Sequence, residues 1–326
     1  MNKFCLCCGE ELSDVATAEE LKWCWHRKCV KKFFGTAVLP ELEVNEVTIR
    51  RLVAVNLEEG LTIPGVQKKI SLHLSGDTPA RLTLMDYPAG YIMKPQADEY
   101  ARLPEYEWAA MQMARVAGLG VVPFALYDAG GNLVYLTKRI DRGVSVDGGV
   151  VRYAMEDFCQ LSERLSEDKY KGSYEGCAKI IRLYSRNVGL DLSELFIRVV
   201  VSFVIGNSDM HLKNLSLIER APGARVFELS RAYDILPVNV VEPNDLDELA
   251  LSLNGKRRRL EMEDFLEFAK YCNLELNTVR KILSQILVRQ GDFGAIIEKA
   301  PLPANGKERW RELIKERMDR LTWHEI

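Results

Sequence analysis

The chain has 326 residues, a net charge of −3, 47% hydrophobic residues and 28% charged residues. These values are typical of a folded protein with a sizeable core in one or two domains, and they exclude a disordered chain. The weak net charge gives no general attraction to nucleic acid or to an anionic membrane surface.

The first 29 residues contain five of the eight cysteines. Cys5-x-x-Cys8 and His26-x-x-Cys29 offer two pairs of zinc ligands, and clustered cysteines in a reducing compartment favour metal over disulfides. Cys7 and Cys24 compete for the same role, so the ligand set stays open. We expect residues 1–36 to form a Cys-rich appendage with a structural zinc. The alternative is a small apolar knot of reduced thiols.

The sequence also bears on localisation. Its longest apolar run, near residues 195–206, is too short for a bilayer span and contains Arg198. Residues 1–30 carry acids, cysteines and tryptophans rather than an apolar leader segment. We therefore expect a cytoplasmic protein without membrane association.

Residues 37–142 have the pattern of a small sheet with one long helix. A short helix is predicted at residues 46–58, and an amphipathic helix at 104–118 with Pro104 near its first turn and Gly118 at its end. Alternating apolar residues predict five strands, at 70–74, 81–86, 90–94, 121–127 and 132–138.

Residues 143–326 are mainly helical by pattern, with predicted helices at 155–165, 174–187, 191–205, 262–271, 276–289 and 307–321. Two predicted strands, at 214–219 and 225–229, interrupt them. Asn254-Gly255 predicts a hairpin that joins 249–253 to 256–260, and the basic run 256–259 then favours a solvated strand edge over a DNA contact. The glycine-rich residues 141–150 are the predicted linker between the two parts.

The most informative stretch is residues 205–214. Asp209 and Asn214 have the spacing at which a kinase catalytic loop holds the acceptor hydroxyl and a magnesium ion. Asp234 and Asn239 repeat that spacing, so the motif alone is weak. Its setting favours the first copy, because a buried apolar segment precedes it and an alternating strand pattern follows. Asp234 would then supply the second magnesium ligand that phosphoryl transfer needs.

Two further residues of this stretch are candidates. His211 stands between Asp209 and Asn214, and we expect it to brace the loop rather than to take part in the chemistry, because phosphoryl transfer needs no second base. Lys213 would reach the γ-phosphate of a nucleotide, with a solvated surface lysine as the alternative.

Lys94 ends a predicted strand and would pair with nucleotide phosphates, as the strand lysine of kinases does. Glu107, on the following helix, would hold that lysine, although Glu105 is an alternative partner. The segment Gly65-Val66-Gln67-Lys68-Lys69 would present backbone N–H groups to a phosphate. It has a single glycine and is not a P-loop.

These motifs occur together and in order over residues 62–237, and on them the chain resembles the HipA-like serine/threonine kinases, the toxins of bacterial toxin–antitoxin operons. The matching segments are Ile63-Pro64-Gly65-Val66-Gln67-x-Lys69, Ile92-Met93-Lys94-Pro95, Leu103-Pro104-Glu105-Tyr106-Glu107, Lys138-Arg139-Ile140-Asp141-Arg142, Glu156-Asp157-Phe158-Cys159-Gln160, Gly206-Asn207-x-Asp209-x-His211-x-Lys213-Asn214 and Ala232-Tyr233-Asp234-Ile235-Leu236-Pro237.

The resemblance implies an α+β, two-lobed protein-kinase-like fold, with a small, mostly-β N-lobe at 37–142 and a mainly helical C-lobe at 143–326. It implies ATP and Mg²⁺ as cofactors, and assigns the following roles. Asp209 is the catalytic base, Asn214 and Asp234 are the magnesium ligands, Lys94 binds the nucleotide phosphates, and residues 137–140, with Lys138 and Ile140, form a hinge that holds adenine through backbone groups.

The resemblance further implies a protein serine/threonine kinase that acts as a toxin. A helix-turn-helix antitoxin would neutralise it and would provide its only link to DNA. The family's targets include aminoacyl-tRNA synthetases, so a translation component is the implied substrate. The alternatives are a small-molecule kinase on the same scaffold and a non-catalytic Cys-rich adaptor.

The chain departs from the family pattern in two places. Long HipA proteins carry an extra N-terminal subdomain, so we expect the short form, in which a separate small protein supplies that piece. The family's Gly-rich loop often has serines where this chain has Thr62 and Pro64. Thr62 is therefore the candidate for inactivating self-phosphorylation, and a packing role for this β-branched residue is the alternative.

Overall fold

The computed structural model describes residues 4–13, 15–43, 69–83, 90–144 and 149–323. The chain divides into two compact units, Met1–Trp108 with Val122–Ile140 and Ala109–Val121 with Asp141–Ile326. The helix predicted at 46–58 and residues 65–68 of the predicted phosphate-binding segment lie outside the described residues.

The first unit is built on one six-stranded sheet. Its strands are β1 (Glu41–Leu42), β2 (Ile70–Leu74), β3 (Arg81–Thr83), β4 (Tyr91–Lys94), β5 (Phe124–Asp128) and β6 (Leu133–Lys138). They are ordered β1-β3-β2-β4-β6-β5, and every pair is antiparallel except the parallel pair β1–β3. The five predicted strands are confirmed within the described residues. The two-residue edge strand β1 was not predicted, because it is too short to show an alternating pattern.

One long helix, α3 (Leu103–Val116), lies between β4 and β5 in the chain, and its first turns belong to this unit. Residues 103–114 are all buried, which agrees with a sequence that is apolar on more than one face. The helix ends two residues before Gly118, which adopts a positive φ of 97°.

The N-terminal segment packs onto this sheet through two short helices that were not predicted, α1 (Ala18–Trp23) and α2 (Arg27–Phe34). The rings of Phe33 and Phe34 lie 5.8 Å and 5.5 Å from that of Tyr91 on β4. The backbone N–H of Leu126 on β5 donates to the Leu6 carbonyl at 2.9 Å. The segment therefore shares the core of the first unit.

The second unit is mainly helical, as predicted. Its described helices are α4 (Phe158–Leu161), α5 (Tyr174–Tyr184), α6 (Val188–Ile205), α7 (Val238–Val241), α8 (Met262–Tyr271), α9 (Leu276–Leu287), α10 (Gln290–Lys299) and α11 (Ala304–Arg320), with 3₁₀ turns at Ser166–Asp168 and Leu212–Asn214. Its strands are β7 (Arg142–Val144), β8 (Val150–Arg152), β9 (Met155–Asp157), β10 (Ser216–Glu219) and β11 (Phe227–Leu229).

Two predictions in this unit are wrong in part, and one helix was missed. Residues 155–157 are strand β9, paired with β10, rather than the first turn of a helix, and the helix that follows has only four residues. Strands β7 and β8 pair antiparallel and lie partly within the predicted linker at 141–150. The Asn254-Gly255 turn is present, with φ of 49° and 77°, but it joins a single bridge from Leu253 to Lys256 instead of two strands. Helix α10 was missed, since two glycines lower its helix propensity.

Helix α6 is the central element of this unit. Its residues 198–205 are all buried, including Arg198, which donates to Glu194 at 3.2 Å and to the Ser230 carbonyl. The buried charge is thus paired and hydrogen-bonded. No helix in the described ranges combines the length and hydropathy needed to cross a membrane.

Candidate active site

The loop that follows α6 is fixed at its first residue. Gly206 adopts a φ of 84°, in the left-handed region that favours glycine. A Cβ atom at this position would lie 3.2 Å from the Leu313 side chain on α11. The chain therefore turns sharply out of α6 where a side chain would be both strained and crowded.

Two side chains of α11 satisfy carbonyl groups at the C-terminus of α6. Trp310 Nε1 donates to the Ile205 carbonyl at 2.9 Å, and an Arg317 guanidinium nitrogen donates to the Phe203 carbonyl at 2.5 Å. A helix end leaves such carbonyls without intrahelical partners, and a cation there is favoured by the helix dipole. Burial lowers the pKa of Arg317 to about 10, so its charge is retained at neutral pH.

The loop itself is held by two asparagines. The Asn207 side chain is fully buried, and its Oδ1 accepts a hydrogen bond from the backbone N–H of Asp209 at 3.2 Å. Asn214 Nδ2 donates to the Asp209 carbonyl at 2.8 Å. The backbone of Asp209 is thus held from both sides. Because the Asn214 amide nitrogen is engaged in this contact, its Oδ1 is the atom suited to a cation.

The Asp209 carboxylate is 39% exposed, which leaves it accessible to an acceptor. Its Oδ1 accepts a 2.5 Å hydrogen bond from the Tyr170 hydroxyl and lies 3.9 Å from His211 Nε2. The ring planes of Tyr170 and His211 meet at 78° in an edge-to-face contact, with ring centroids 5.0 Å apart. Burial lowers the pKa of His211, and the Asp209 charge only partly opposes this. Burial thus favours the neutral form of the imidazole at this position.

Asp234 directly follows Tyr233, whose side chain forms a hydrogen bond to the Asp209 loop. The Tyr233 hydroxyl donates to the Lys213 carbonyl at 3.1 Å and shares a 2.5 Å hydrogen bond with Ser216 Oγ. Asp234 has a φ of 60°, a left-handed conformation that few residues other than glycine adopt. Such strain is found mainly where surrounding contacts fix the backbone, and it clusters at functional sites.

Three carboxylates contribute to the raised pKa of Tyr170. Burial raises the pKa of Tyr170, and the negative charge of Asp209 raises it further, with smaller effects from Asp245 and Asp234. Three carboxylates thus act on one hydroxyl in the second unit.

The second copy of the motif has a different role in the structure. Asn239 is buried, and its Nδ2 donates to the carbonyls of Asp247 at 2.9 Å and Asp245 at 3.1 Å. Its Oδ1 accepts a hydrogen bond from Arg317 at 2.8 Å. Because both amide atoms are engaged in these contacts, Asn239 holds the loop connections and is unsuited to ligate a metal.

Lys213 lies against an acid. Its Nζ is 3.2 Å from Asp157 Oδ2 and 3.3 Å from Ser166 Oγ. Asp157 also caps α4, since it accepts from the backbone N–H of Gln160 at 2.8 Å. The ammonium group, which the sequence assigned to the γ-phosphate, thus joins the loop to α4 in this structure.

The first unit contains a buried ion pair between Lys94 and Glu107. The two residues are 3% and 1% exposed, and Lys94 Nζ donates to Glu107 Oε1. Glu105 instead pairs with Arg102 at 2.9 Å, and burial raises the pKa of Glu105. The structure therefore pairs Lys94 with Glu107 rather than with Glu105. An ammonium group whose position is fixed by a buried acid is suited to hold a phosphate.

The remaining nucleotide-binding candidates are less informative. Lys138 ends β6, with its Nζ 5.9 Å from the Tyr91 ring centroid and its N–H donating to the Pro123 carbonyl at 2.9 Å. Ile140 is half-buried, and Lys69 is exposed just before β2. The other four candidates lie outside the described residues: Thr62, Gly65, Val66 and Gln67.

The N-terminal thiols and imidazole converge. The candidate ligand atoms of Cys5, Cys8, His26 and Cys29 all lie within 4.8 Å of one another. This group, called the thiol cluster below, contains all four residues named from the sequence. Cys24 donates to the Leu21 carbonyl at 3.6 Å instead. A three-thiol, one-imidazole donor set fits zinc.

Sequence reasoning missed two residues of the site. Tyr170 contacts the Asp209 carboxylate from 39 positions earlier in the chain, and no local pattern marks it. Asp157, the partner of Lys213, could have been found, because Asp157-x-x-Gln160 has the spacing of a capping box and the structure forms one.

Comparisons with known proteins place this geometry in a family. The HipA-like C-terminal domain family matches residues 61–291. Two relatives in Sinorhizobium fredii, named "Putative kinase Y4mE" and "Putative kinase Y4dM", are 28% and 31% identical over 71% and 76% of this chain. The chain spans 56% and 62% of their lengths. A relative in Haemophilus influenzae, named "Putative kinase", is 24% identical over 76% of this chain and 77% of its own length.

Two solved structures share the fold. The HipA chain in the complex of Shewanella oneidensis HipA, HipB and operator DNA matches with a TM-score of 0.69 and 19% identity, over 83% of this chain and 70% of its own. The proinflammatory kinase CtkA of Helicobacter pylori matches with a TM-score of 0.52 and 16% identity, over 74% of this chain and 87% of its own. The fold is thus the α+β fold of these kinases. With residues 61–291 matched, the chain belongs to the family of HipA-like C-terminal domain proteins.

Proposed function

We propose that this protein is an ATP- and magnesium-dependent kinase that phosphorylates serine or threonine in a protein substrate. The observation that carries the proposal is the Asp209 loop. Its backbone is held by Asn207 and Asn214, and its carboxylate is exposed and accepts a hydrogen bond from the Tyr170 hydroxyl. Asp209 is therefore suited to orient an acceptor hydroxyl and to take its proton.

Asn214 and Asp234 would hold the magnesium ion. Amide and carboxylate oxygens are hard ligands, as Mg²⁺ requires. The engaged Nδ2 of Asn214 and the strained backbone of Asp234 both support a fixed oxygen donor. When bound, the ion would neutralise negative charge on the phosphates.

Lys94, fixed by Glu107, would bind the nucleotide phosphates. The backbone groups of residues 137–140 would hold adenine, an assignment that follows from the family resemblance. Lys213, whose charge is balanced by Asp157, is assigned to positioning the loop rather than to the γ-phosphate.

The biological setting that we propose is a toxin–antitoxin system. The fold neighbour from Shewanella oneidensis is the HipA of such a system, in complex with HipB and its operator DNA. By analogy, the partner of this chain would be an antitoxin with a helix-turn-helix, and DNA would be reached only through it. The substrate proposed from the family resemblance is a component of translation.

The test is phosphoryl transfer by the purified chain, with labelled ATP and Mg²⁺, to proteins of a lysate and to free nucleosides and sugars. We expect label on serine or threonine, and Asp209→Asn should reduce the rate roughly a hundred- to ten-thousand-fold without loss of nucleotide binding. Asp292→Asn, at an exposed aspartate of the same unit, is the matched control. Label confined to small molecules would contradict the proposal of a protein substrate. An Asp209→Asn variant with unchanged activity would contradict the assignment of Asp209 as the catalytic base.

A further inference from the structure

The thiol cluster has the dimensions of a metal site. Ligands at about 2.0–2.3 Å from a tetrahedral zinc lie roughly 3.5–3.8 Å from one another. Here Cys8 Sγ and Cys29 Sγ lie 3.4 Å and 3.9 Å from His26 Nδ1. Little rearrangement is needed for these atoms to bind one ion.

Contacts around the cluster orient the donors as a metal site requires. His26 Nε2 lies 3.2 Å from the Glu11 carbonyl oxygen, so it carries the proton and leaves Nδ1 as the atom with a lone pair toward the thiols. The backbone N–H of His26 donates to Cys5 Sγ at 3.4 Å, a contact that stabilises a thiolate. Neighbouring groups thus fix the tautomer of His26 and favour the thiolate form of Cys5.

We propose that Cys5, Cys8, His26 and Cys29 bind one structural Zn²⁺, and that this ion fixes the two elements that carry the Lys94–Glu107 ion pair. The metal part of the proposal does not depend on the kinase reaction. The positioning part concerns the same ion pair to which the proposed function assigns phosphate binding.

The first contact runs to the helix that carries Glu107. The turn between Cys5 and Cys8 continues to Gly9, whose φ is 75° and whose Cβ, if present, would lie 3.2 Å from the Trp108 ring. Trp108 is 3% exposed and directly follows Glu107 on α3. The position of the turn therefore constrains the start of α3.

The second contact runs to the strand that carries Lys94. Trp25 precedes His26, and its ring lies 5.7 Å and 5.6 Å from those of Phe33 and Phe34 on α2. Both phenylalanines pack on Tyr91, three residues before Lys94 on β4, and the Tyr91 hydroxyl donates to the Phe33 carbonyl at 3.3 Å. Residues next to the metal ligands thus pack against both α3 and β4.

A metal cross-link would add to the packing that holds this segment on the sheet. Helices α1 and α2 have six and eight residues, too few for stable helices on their own. Binding of an ion to ligands 24 positions apart, from Cys5 to Cys29, would close the segment and hold its aromatic residues on the sheet.

The metal is tested by elemental analysis of the full chain, purified without chelator. We expect about one zinc per chain, and its loss in Cys5→Ser and Cys29→Ser. Cys24→Ser is the matched control, because its hydroxyl can keep the bond to the Leu21 carbonyl, and it should retain zinc. A wild-type chain that holds no zinc, even after Zn²⁺ is supplied to reduced protein, would overturn the site. Loss of zinc in Cys7→Ser but not in Cys8→Ser would overturn the ligand set.

Cobalt gives a second readout, independent of how well the variants fold. Co²⁺ added to metal-depleted wild-type chain should give the visible absorption of a tetrahedral, thiolate-ligated ion, and Zn²⁺ should displace it. Absorption typical of an octahedral, oxygen-ligated ion would contradict the site.

The positioning part is tested by hydrogen exchange on wild-type chain with and without zinc. Removal of the metal should increase amide exchange at least tenfold in peptides that cover β4 and the first turns of α3. Peptides from α8, in the other unit, are the internal control and should not change. If zinc is bound but β4 and α3 exchange at unchanged rates, the positioning role is wrong. Neither measurement depends on kinase activity, so failure of the proposed function would be seen separately.

Discussion

The Tyr170 hydroxyl donates a 2.5 Å hydrogen bond to Oδ1 of Asp209, the carboxylate that we propose as the catalytic base. A hydroxyl on this oxygen occupies the place that an acceptor hydroxyl needs. Burial and the charges of Asp209, Asp245 and Asp234 raise the pKa of Tyr170, so it stays a neutral donor. An acceptor that binds the same oxygen therefore competes with Tyr170.

Tyr170→Phe should activate the enzyme. The variant keeps the ring that packs on His211 but removes the competing hydrogen bond. A hydrogen bond to a charged group contributes about 1.5–3 kcal/mol. Loss of the Tyr170 bond recovers only part of this free energy for acceptor binding, so we expect kcat/KM for the acceptor to rise roughly three- to tenfold. The KM for ATP should not change. Tyr184→Phe, at an exposed tyrosine, is the control, and a fall in kcat for Tyr170→Phe would instead show that Tyr170 positions Asp209.

Asp234→Ala should weaken the magnesium-dependent part of nucleotide binding at least tenfold, because a metal ligand is lost. Calorimetry with a non-hydrolysable ATP analogue, with and without Mg²⁺, measures this. Asn239→Ala is the instructive comparison, because Asn239 belongs to the second copy of the motif. It should lower the free energy of unfolding by about 2–4 kcal/mol through lost buried hydrogen bonds, with the magnesium dependence intact. If Asn239→Ala instead lost the magnesium dependence and Asp234→Ala kept it, Asn239 rather than Asp234 would be the metal ligand.

Glu107→Gln and Glu105→Gln should differ sharply although both residues lie on α3. Removal of the Glu107 charge leaves Lys94 buried beside a neutral amide, which costs about 3–5 kcal/mol of stability and weakens nucleotide binding. Glu105 is buried with its pKa raised, and its partner Arg102 is mostly exposed, so Glu105→Gln should be close to neutral. Urea unfolding and nucleotide titration of both variants check this. Equal losses would show that Lys94 does not depend on Glu107.

The first unit should lose stability in alkali. Burial raises the pKa of Tyr91 and of Tyr127 to about 12, above their ordinary value of 10.0. Between these values the unfolded chain releases the phenolic protons and the folded chain keeps them, so the folded state is favoured below pH 10 and loses stability as pH rises toward 12. The slope is at most about 1.4 kcal/mol per pH unit for each residue. Unfolding at pH 9 and pH 11 should show it, and Tyr91→Phe should reduce it. An unchanged slope in that variant would contradict the assignment.

Much of the fold follows from local patterns in the sequence. Ile70 and Leu72 alternate with polar neighbours and form a half-buried strand, and Gly206 ends α6 where the apolar run stops. Local patterns failed where distant partners decide the structure. Residues 155–157 form a strand because β10 pairs with them, although Met155 and Glu156 are good helix formers on their own.

In the candidate site, too, local patterns predicted some residues, and contacts between distant residues decided the rest. The spacing of Asp209 and Asn214 identified the loop, and the spacing of the thiol cluster identified four converging ligands. The sequence setting favoured the first copy of the motif, but the contacts of Asn239 with Asp245, Asp247 and Arg317 could not be predicted from spacing. Tyr170 was missed for the same reason, since its contact with Asp209 joins residues that are distant in sequence.

The capping of α6 by α11 has a consequence for synthesis. Trp310 and Arg317 follow their acceptors, Ile205 and Phe203, by 105 and 114 residues. A nascent chain therefore contains the whole Asp209 loop long before it contains the groups that satisfy the end of the preceding helix. Each buried carbonyl without a donor costs about 1–3 kcal/mol. It follows that the Asp209 loop of a nascent chain lacks this support until α11 has been made.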